Sequence, residues 1–299
     1  MRPGRTRSTP GAGASTPATR GGTASSSSAD RGSDPLARPN GAVTLDLWHT
    51  LVYLTPAAEE AYMNAQMDLA AEVLDSAAAR PGAPSRSRAD LRVIFQKVYA
   101  DAVAASQRGV SVSPAAQLGQ AADVAGRTAA PDRYFDGLGR LVARTPFQIG
   151  PGALATVRAL RARGWRTAVI SNTIGEPGAT LRPILTAMGF DSLVEEFVFS
   201  DELPWTKPDP AIFLEALRRL GSDPAHAVHV GDGWPDIEGP KRAGMKAGIL
   251  FTGLQTYGAQ YQTLFLPPGW ANPSAEYRIQ TLAALPELVE RILGPEGWA

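Results

Sequence analysis

The sequence predicts an α/β fold in which a parallel sheet, covered by helices on both faces, carries an inserted all-helical unit. After residue 146, short apolar runs alternate with stretches of helical spacing as far as residue 293. Such alternation is typical of parallel strands connected by helices. Between residues 57 and 145 only helical patterns occur, separated by Pro, Gly and Ser. Together these observations predict a Rossmann-like core interrupted by a helical cap.

The first strand and the insertion define the expected domains. Residues 42–46 form an apolar run that ends in a carboxylate, which predicts a buried strand. Apolar residues then recur with helical spacing at 57–79, 88–107, 114–126 and 131–144. We therefore assign residues 41–56 and 146–299 to the core and residues 57–145 to the cap.

The remainder of the core alternates regularly. Strands are predicted at 165–170, 196–199, 227–230, 247–251 and 277–279. Helices are predicted at 152–163, 177–188, 210–220, 235–243 and 285–293. In sheets of this kind, sites form outside the carboxyl ends of the strands. The residues that follow each strand are therefore the candidates for a functional site.

The composition excludes several classes of protein. The chain has 299 residues and no cysteine, so disulfides, thiolate zinc sites and cysteine nucleophiles are excluded. Its 29 basic and 29 acidic residues balance, which argues against whole-protein attraction to nucleic acid or to an anionic membrane. No apolar run approaches the ~18 residues of a membrane span. We expect a cytoplasmic protein without nucleic-acid or membrane partners.

The first 40 residues differ from the rest of the chain. They contain six arginines, two acids and no aromatic side chain. Such a segment buries too little apolar surface to offset the entropy of ordering, so residues 1–40 are predicted to be a disordered tail. Their Arg- and Ser-rich composition also fits an organelle transit peptide, which would make the location organellar, or a nucleic-acid-binding arm.

Polar side chains that suit phosphoryl transfer follow the predicted strands. They are Asp46, Ser171, Asn172, Lys207, Asp232 and Asp236. Carboxylate oxygens hold Mg²⁺, while lysine and hydroxyl groups neutralise phosphate oxygens. The sequence thus predicts a site for phosphoryl transfer with a hard divalent cation.

Four short motifs occur in order at these strand ends. They are DLWHTL at 46–51, SNT at 171–173, KPDP at 207–210 and GDGWPD at 231–236. In type, order and spacing the chain resembles the haloacid dehalogenase-like (HAD) hydrolase superfamily over residues 41–293. The resemblance implies that the helical insertion is a C1-type cap, which closes over the site and selects the substrate.

The resemblance also implies a role for each residue of the motifs. Asp46 would be the nucleophile and Lys207 would restrain nucleophile and phosphate, which makes these two the catalytic residues. The residues expected to bind phosphate or substrate are Thr50, Ser171, Asn172 and Trp48. The expected metal ligands are Asp46, Trp48 through its backbone carbonyl, Asp232 and Asp236. The implied function is a Mg²⁺-dependent phosphatase that acts on a small phosphorylated metabolite through an aspartyl-phosphate intermediate.

Trp48 departs from the family pattern. Family phosphatases carry a second Asp, a general acid/base, two residues after the nucleophile. An indole cannot exchange protons near neutral pH, so a preference for good leaving groups such as aryl or acyl phosphates is expected. Two alternatives stay open: a 2-haloacid dehalogenase, whose branch has Tyr here but typically lacks the acid at Asp232, and a catalytically weak regulatory or binding module.

The remaining chemistry-bearing residues have plainer interpretations. His49 could replace the missing proton donor, although a side chain bonded to the loop backbone is the simpler expectation. His226 and His229 are predicted to be structural, and Arg182 to lie on the surface. Packing is the expected role of the aromatic residues Trp205, Tyr257, Tyr261, Phe265 and Trp270.

Overall fold

The computed structural model describes residues 41–266 and 273–294. The predicted disordered tail, residues 1–40, lies outside the described residues, as does Trp270. No helix in the two described ranges is long and apolar enough to cross a membrane.

The core is a six-stranded sheet in which every pairing is parallel. Its strands are β1 (Ala42–Leu45), β4 (Arg166–Ser171), β5 (Glu196–Phe199), β6 (Ala227–Gly231), β7 (Ala247–Phe251) and β8 (Tyr277–Ile279). Their order across the sheet is β5-β4-β1-β6-β7-β8. A separate antiparallel pair, β2 (Val52–Tyr53) and β3 (Gln148–Ile149), lies where the chain leaves for the insertion and returns from it.

Helices cover both faces of the sheet, which confirms the predicted fold class. They are α5 (Ala153–Ala162), α6 (Gly178–Ala187), α7 (Pro210–Leu220), α8 (Pro235–Arg242) and α10 (Leu285–Leu293). A further helix, α9 (Ala259–Phe265), lies against the insertion instead. Because successive side chains of a strand point to opposite faces, Val43 and Leu45 pack with α5 and α10, whereas Ala42 packs with α7. One apolar layer therefore lies on each face of the sheet, and the buried strands contribute side chains to both.

The insertion consists of four helices with a core of their own. They are α1 (Pro56–Ser76), α2 (Arg88–Ser106), α3 (Pro114–Ala125) and α4 (Pro131–Arg144). Their boundaries follow local capping rules. Thr55 and Ser113 cap α1 and α3 by accepting backbone N–H bonds, Ser87 and Asp90 form a capping box at α2, and Gly126 ends α3 at φ 67°.

Two elements were not expected from the sequence. The strands of the β2–β3 pair have only two residues each, too few to produce a periodic pattern. Helix α9 has seven residues of mixed polarity and packs against α1 and α2. The chain that follows β7 thus adds a helix to the insertion, whereas the sequence placed all of residues 146–299 in the core.

Candidate active site

The topology of the sheet places a crevice between β1 and β6. The chain leaves β1 toward β4 on one side, whereas it leaves β6 toward β7 on the other. A crevice opens outside the carboxyl ends of two neighbouring strands whose connections diverge in this way. Asp46 directly follows β1, and its backbone N–H donates to Val230 of β6 at 2.8 Å. Asp232 follows β6, so both acids lie at this switch point.

Asp46 and Lys207 form a buried ion pair at the centre of the site. Their side chains are 7% and 4% exposed. The Lys207 ammonium donates to Oδ1 of Asp46 and, at 2.7 Å, to Oδ1 of Asp236. The Thr50 hydroxyl donates to the other Asp46 oxygen, Oδ2, at 3.3 Å. The two predicted catalytic residues are thus brought together, and Thr50 orients the carboxylate.

Three carboxylates share this single ammonium. Oxygens of Asp46, Asp232 and Asp236 all lie within 4.8 Å of one another. Burial acts to raise the pKa of Asp236, but Lys207 and a hydrogen bond from His229 outweigh it and hold that pKa well below its usual range. Burial raises the pKa of Asp46 to about 7 and that of Asp232 to about 6. The raised pKa values of Asp46 and Asp232 show that one ammonium is too little positive charge to hold three buried carboxylates fully ionised.

Asn172 positions the loop that carries Lys207. Its side-chain NH₂ donates to the Lys207 carbonyl at 3.0 Å, and its Oδ1 accepts from the Lys207 backbone N–H at 2.8 Å. This pair of bonds fixes where the lysine leaves the chain. The amide of Asn172 is thereby engaged with the protein, and contact with a substrate stays a prediction for this residue.

Ser171 contributes a buried hydroxyl. The residue ends β4 and is fully buried. Within the described part of the chain, its Oγ makes no hydrogen bond. A buried polar atom without a partner is costly unless a ligand satisfies it. This geometry supports the predicted role of Ser171 in holding a phosphoryl oxygen.

His229 lies beneath the carboxylate cluster. Its Nε2 is 3.1 Å from Asp236 Oδ1, and its Nδ1 is 2.8 Å from the Thr44 hydroxyl. Burial lowers the pKa of His229, which favours the neutral form of the ring. A polar contact of this kind could have been predicted from the sequence, because a histidine inside an otherwise apolar buried strand needs polar partners.

Tyr257 was expected only to pack, and it also contacts the cluster. Its hydroxyl donates to Asp232 Oδ2 at 2.8 Å, while its ring stacks on Tyr261 at 5.4 Å. The side chain of Gln255 donates to the Asp232 carbonyl at 2.9 Å. The loop before α9 therefore orients Asp232, which no sequence motif indicates.

His49 does not bond to the loop backbone, and that expectation is wrong. Its Nε2 is 2.8 Å from Glu59 Oε1, and the second Glu59 oxygen accepts from the Gly258 N–H at 2.6 Å. Burial acts to lower the pKa of His49, but the bond to Glu59 and the nearby charges of Asp232, Glu59 and Asp46 together outweigh it and raise that pKa. Glu59 lies in the first turn of α1, where the helix dipole alone would favour an acid. The acid at position 59 therefore gave no separate indication, in the sequence, of its contact with His49.

Trp48 forms part of the boundary between core and insertion. Its partly buried ring packs on Phe147, with centroids 5.3 Å apart. It also lines the cavity that contains Asp46 and Lys207. Arg182, by contrast, pairs with Glu202 at 2.9 Å and is half exposed, as its predicted surface position requires.

The site opens into a cavity beneath the helical insertion. It has a volume of about 110 Å³ and is partly open to solvent. Its lining includes Asp46, Lys207 and Asp232 together with side chains of α1, α2 and α9. A partly enclosed cavity that combines apolar walls with a few polar groups is the usual form of a small-molecule site.

Several known proteins are similar to this chain. A human protein, haloacid dehalogenase-like hydrolase domain-containing protein 3, is 41% identical over 35% of this chain and 40% of its own length. The phosphoglycolate phosphatase of Aquifex aeolicus is 35% identical over 35% of this chain and 48% of its own. The matched region thus spans less than half of these relatives.

Solved structures are similar over longer stretches. A 2-haloacid dehalogenase from Pseudomonas syringae is 26% identical, with a TM-score of 0.55 over 87% of this chain and 99% of its own. A HAD phosphatase from Thermococcus onnurineus, 21% identical, shares the fold with a TM-score of 0.55 over 85% of this chain and 98% of its own. The family model for haloacid dehalogenase-like hydrolases matches residues 41–244. The chain therefore belongs to the haloacid dehalogenase-like hydrolase family.

Proposed function

We propose that this protein is a Mg²⁺-dependent phosphohydrolase that removes the phosphoryl group of a small phosphorylated metabolite through a covalent intermediate on Asp46. The observation that carries the proposal is the buried Asp46–Lys207 pair within a cluster of three carboxylates. Relatives over part of the chain carry phosphatase names, including the glyceraldehyde 3-phosphate phosphatase of Methanothermobacter thermautotrophicus, which is 39% identical over 43% of its length.

The residues of the cluster fit a hard divalent cation. Three carboxylates and one ammonium leave the cluster with excess negative charge, and oxygen ligands are those that Mg²⁺ prefers. Asp46, Asp232, Asp236 and the Trp48 backbone carbonyl are the proposed ligands. When bound, Mg²⁺ would supply positive charge to the phosphoryl oxygens and to the carboxylates.

Each side chain of the site has a separate role in the proposed reaction. Asp46 attacks phosphorus, a bond forms between its carboxylate oxygen and phosphorus, and the bond to the ester oxygen breaks. Lys207 and the Ser171 hydroxyl stabilise the charge on the phosphoryl oxygens. Water then releases inorganic phosphate and restores the Asp46 carboxylate. Because Trp48 donates no proton to the departing oxygen, leaving groups that are stable as anions are favoured.

Phosphate release from a panel of esters tests the proposal. With Mg²⁺ we expect turnover that EDTA abolishes and that Asp46→Asn lowers to background. The exposed cap residue Asp75 gives a matched control, since Asp75→Asn removes a carboxylate without touching the site. Turnover that Asp46→Asn retains at the wild-type level would refute the nucleophilic role.

A 2-haloacid dehalogenase is the second candidate, favoured by the aromatic Trp48 and by the likeness to the Pseudomonas syringae dehalogenase. Asp232 argues against it, because its carboxylate belongs to the acidic cluster that a metal ion would occupy. Chloride release from 2-chloropropionate in the presence of EDTA would favour this candidate over the phosphatase.

A further inference from the structure

The cavity above Asp46 has aromatic walls. One wall is a chain of ring contacts from Trp48 through Phe147 to Tyr62, with centroids 5.3 and 5.5 Å apart. A second pair of rings in the lining, Tyr261 and Phe265, stacks with centroids 4.6 Å apart. Rings of this kind bind flat apolar groups and attract cations to their faces.

The lining of the cavity also contains a buried acid, Glu176. Glu176 is 8% exposed and lies in the loop after β4, where its Oε1 accepts from Gln66 of α1 at 2.7 Å. The loop is held tightly against the insertion: a Cβ at Gly175 would lie 3.2 Å from both the Gln66 amide nitrogen and the Tyr99 hydroxyl. Glu176 therefore has a defined position in the cavity lining.

The described lining of the cavity offers no free cation. Lys207 is its only lysine or arginine, and this ammonium is already paired with Asp46 and Asp236. The histidine of the lining, His49, is paired with Glu59. Burial raises the pKa of Glu176, so this acid has no excess positive charge beside it. A carboxylate on the substrate would meet Glu176 without a compensating cation, and a like-charge contact in a buried site is unfavourable.

We propose that the substrate is a phosphate monoester of an aromatic or other flat apolar group that is neutral or carries an ammonium, and that substrates with a carboxylate are rejected. This inference rests on the proposed phosphatase function. It separates the chain from its partial relatives named as phosphoglycolate phosphatases, since phosphoglycolate is a carboxylate. The proposed aromatic substrate also agrees with the lack of a proton donor at Trp48, because phenols leave as anions more readily than alkyl alcohols.

Three esters of similar shape and phenol acidity test the charge preference: tyramine O-phosphate, 4-ethylphenyl phosphate and 4-(carboxymethyl)phenyl phosphate. With Mg²⁺ we expect kcat/KM for the carboxylate to be at least about tenfold below that for the amine, with the neutral ester between them. Equal or faster turnover of the carboxylate would overturn the inference.

Binding of the matching benzylphosphonates, measured by calorimetry, makes the test independent of turnover. The same order of affinity is expected, and a carboxylate that binds as tightly as the amine overturns the inference. Phosphate release from alkyl esters but from none of these three aryl esters would also overturn the inference, whereas absence of release from the whole ester panel would refute the phosphatase function.

Glu176→Gln keeps the shape of the side chain and removes its charge. We expect this variant to narrow the amine-to-carboxylate ratio of affinities several-fold, mainly by weaker binding of the amine. Asp75→Asn, the exposed control, should leave the ratio unchanged. An unchanged ratio in Glu176→Gln, with affinity for the neutral phosphonate retained, would remove Glu176 from the proposal.

Discussion

Replacing Trp48 by Asp would add an acid at the position where the family's phosphatases carry one. The new carboxyl would enter a site that already contains Asp46, Asp232 and Asp236 with a single ammonium. Like charges raise the pKa of a carboxyl, so the added group would retain its proton near neutral pH. A protonated acid beside the ester oxygen is what the leaving group requires.

The expected gain depends on the leaving group. General acid catalysis contributes about 10²–10⁴-fold, and this factor should appear with alkyl esters, whose alkoxide leaves poorly. For 4-nitrophenyl phosphate, which needs little protonation, a change of less than about tenfold is expected. Trp48 is partly buried against Phe147, and losing about 100 Å² of buried apolar surface costs roughly 2–3 kcal/mol of stability.

The assay compares phosphate release by Trp48→Asp and Trp48→Asn from alkyl and aryl esters, at a temperature where circular dichroism shows both variants folded. The two variants share the loss of packing and differ in the ability to donate a proton. If Asp and Asn give the same ratio of alkyl to aryl rates, position 48 does not control leaving-group protonation.

Three further outcomes are expected. The pKa of Asp46, raised by burial to about 7, lies above that of an unfolded carboxyl, so metal-free stability falls as pH rises from about 4 through 7. Asp46→Asn should therefore melt above wild type in EDTA near pH 8 and by less near pH 5; a lower melting temperature near pH 8 contradicts this. Tyr257→Phe removes the hydroxyl that donates to the acidic cluster and should weaken Mg²⁺ binding several-fold in titration calorimetry, whereas unchanged affinity would show the bond to be unimportant. Gly231→Ala would place a Cβ 2.2 Å from the Asp236 carboxyl carbon, so it should abolish Mg²⁺ binding and lower the melting temperature, while Gly119→Ala, which meets nothing within 4 Å, should do neither.

The catalytic end of the site could be predicted because its residues follow strands. Asp46, Ser171 and Asp232 each lie at or just after the end of a short apolar run, and Lys207 lies in the loop beyond another. Parallel strands bring their carboxyl ends to one edge. Local patterns plus this one rule are therefore enough to place these side chains together, as the structure does.

The contacts around that core could not be predicted in the same way. Glu59 is in the first turn of α1, Tyr257 precedes α9, and Glu176 follows β4. Each is a common residue in an ordinary local setting, and none belongs to a motif. Their partners, His49, Asp232 and Gln66, are 10, 25 and 110 positions away along the chain.

The motifs and the alternation of strands and helices thus specify the sheet, its reactive edge and the acidic cluster, because these depend on residues next to strand ends. The shape and charge of the cavity depend instead on how the helical insertion and α9 pack over that edge. That packing is set by apolar contacts between distant segments, such as the stacked rings of Tyr261 and Phe265 against Tyr99 of α2. Non-local contacts of this kind leave no periodic trace in the sequence, so the folded chain alone decides which substrate the site can accept.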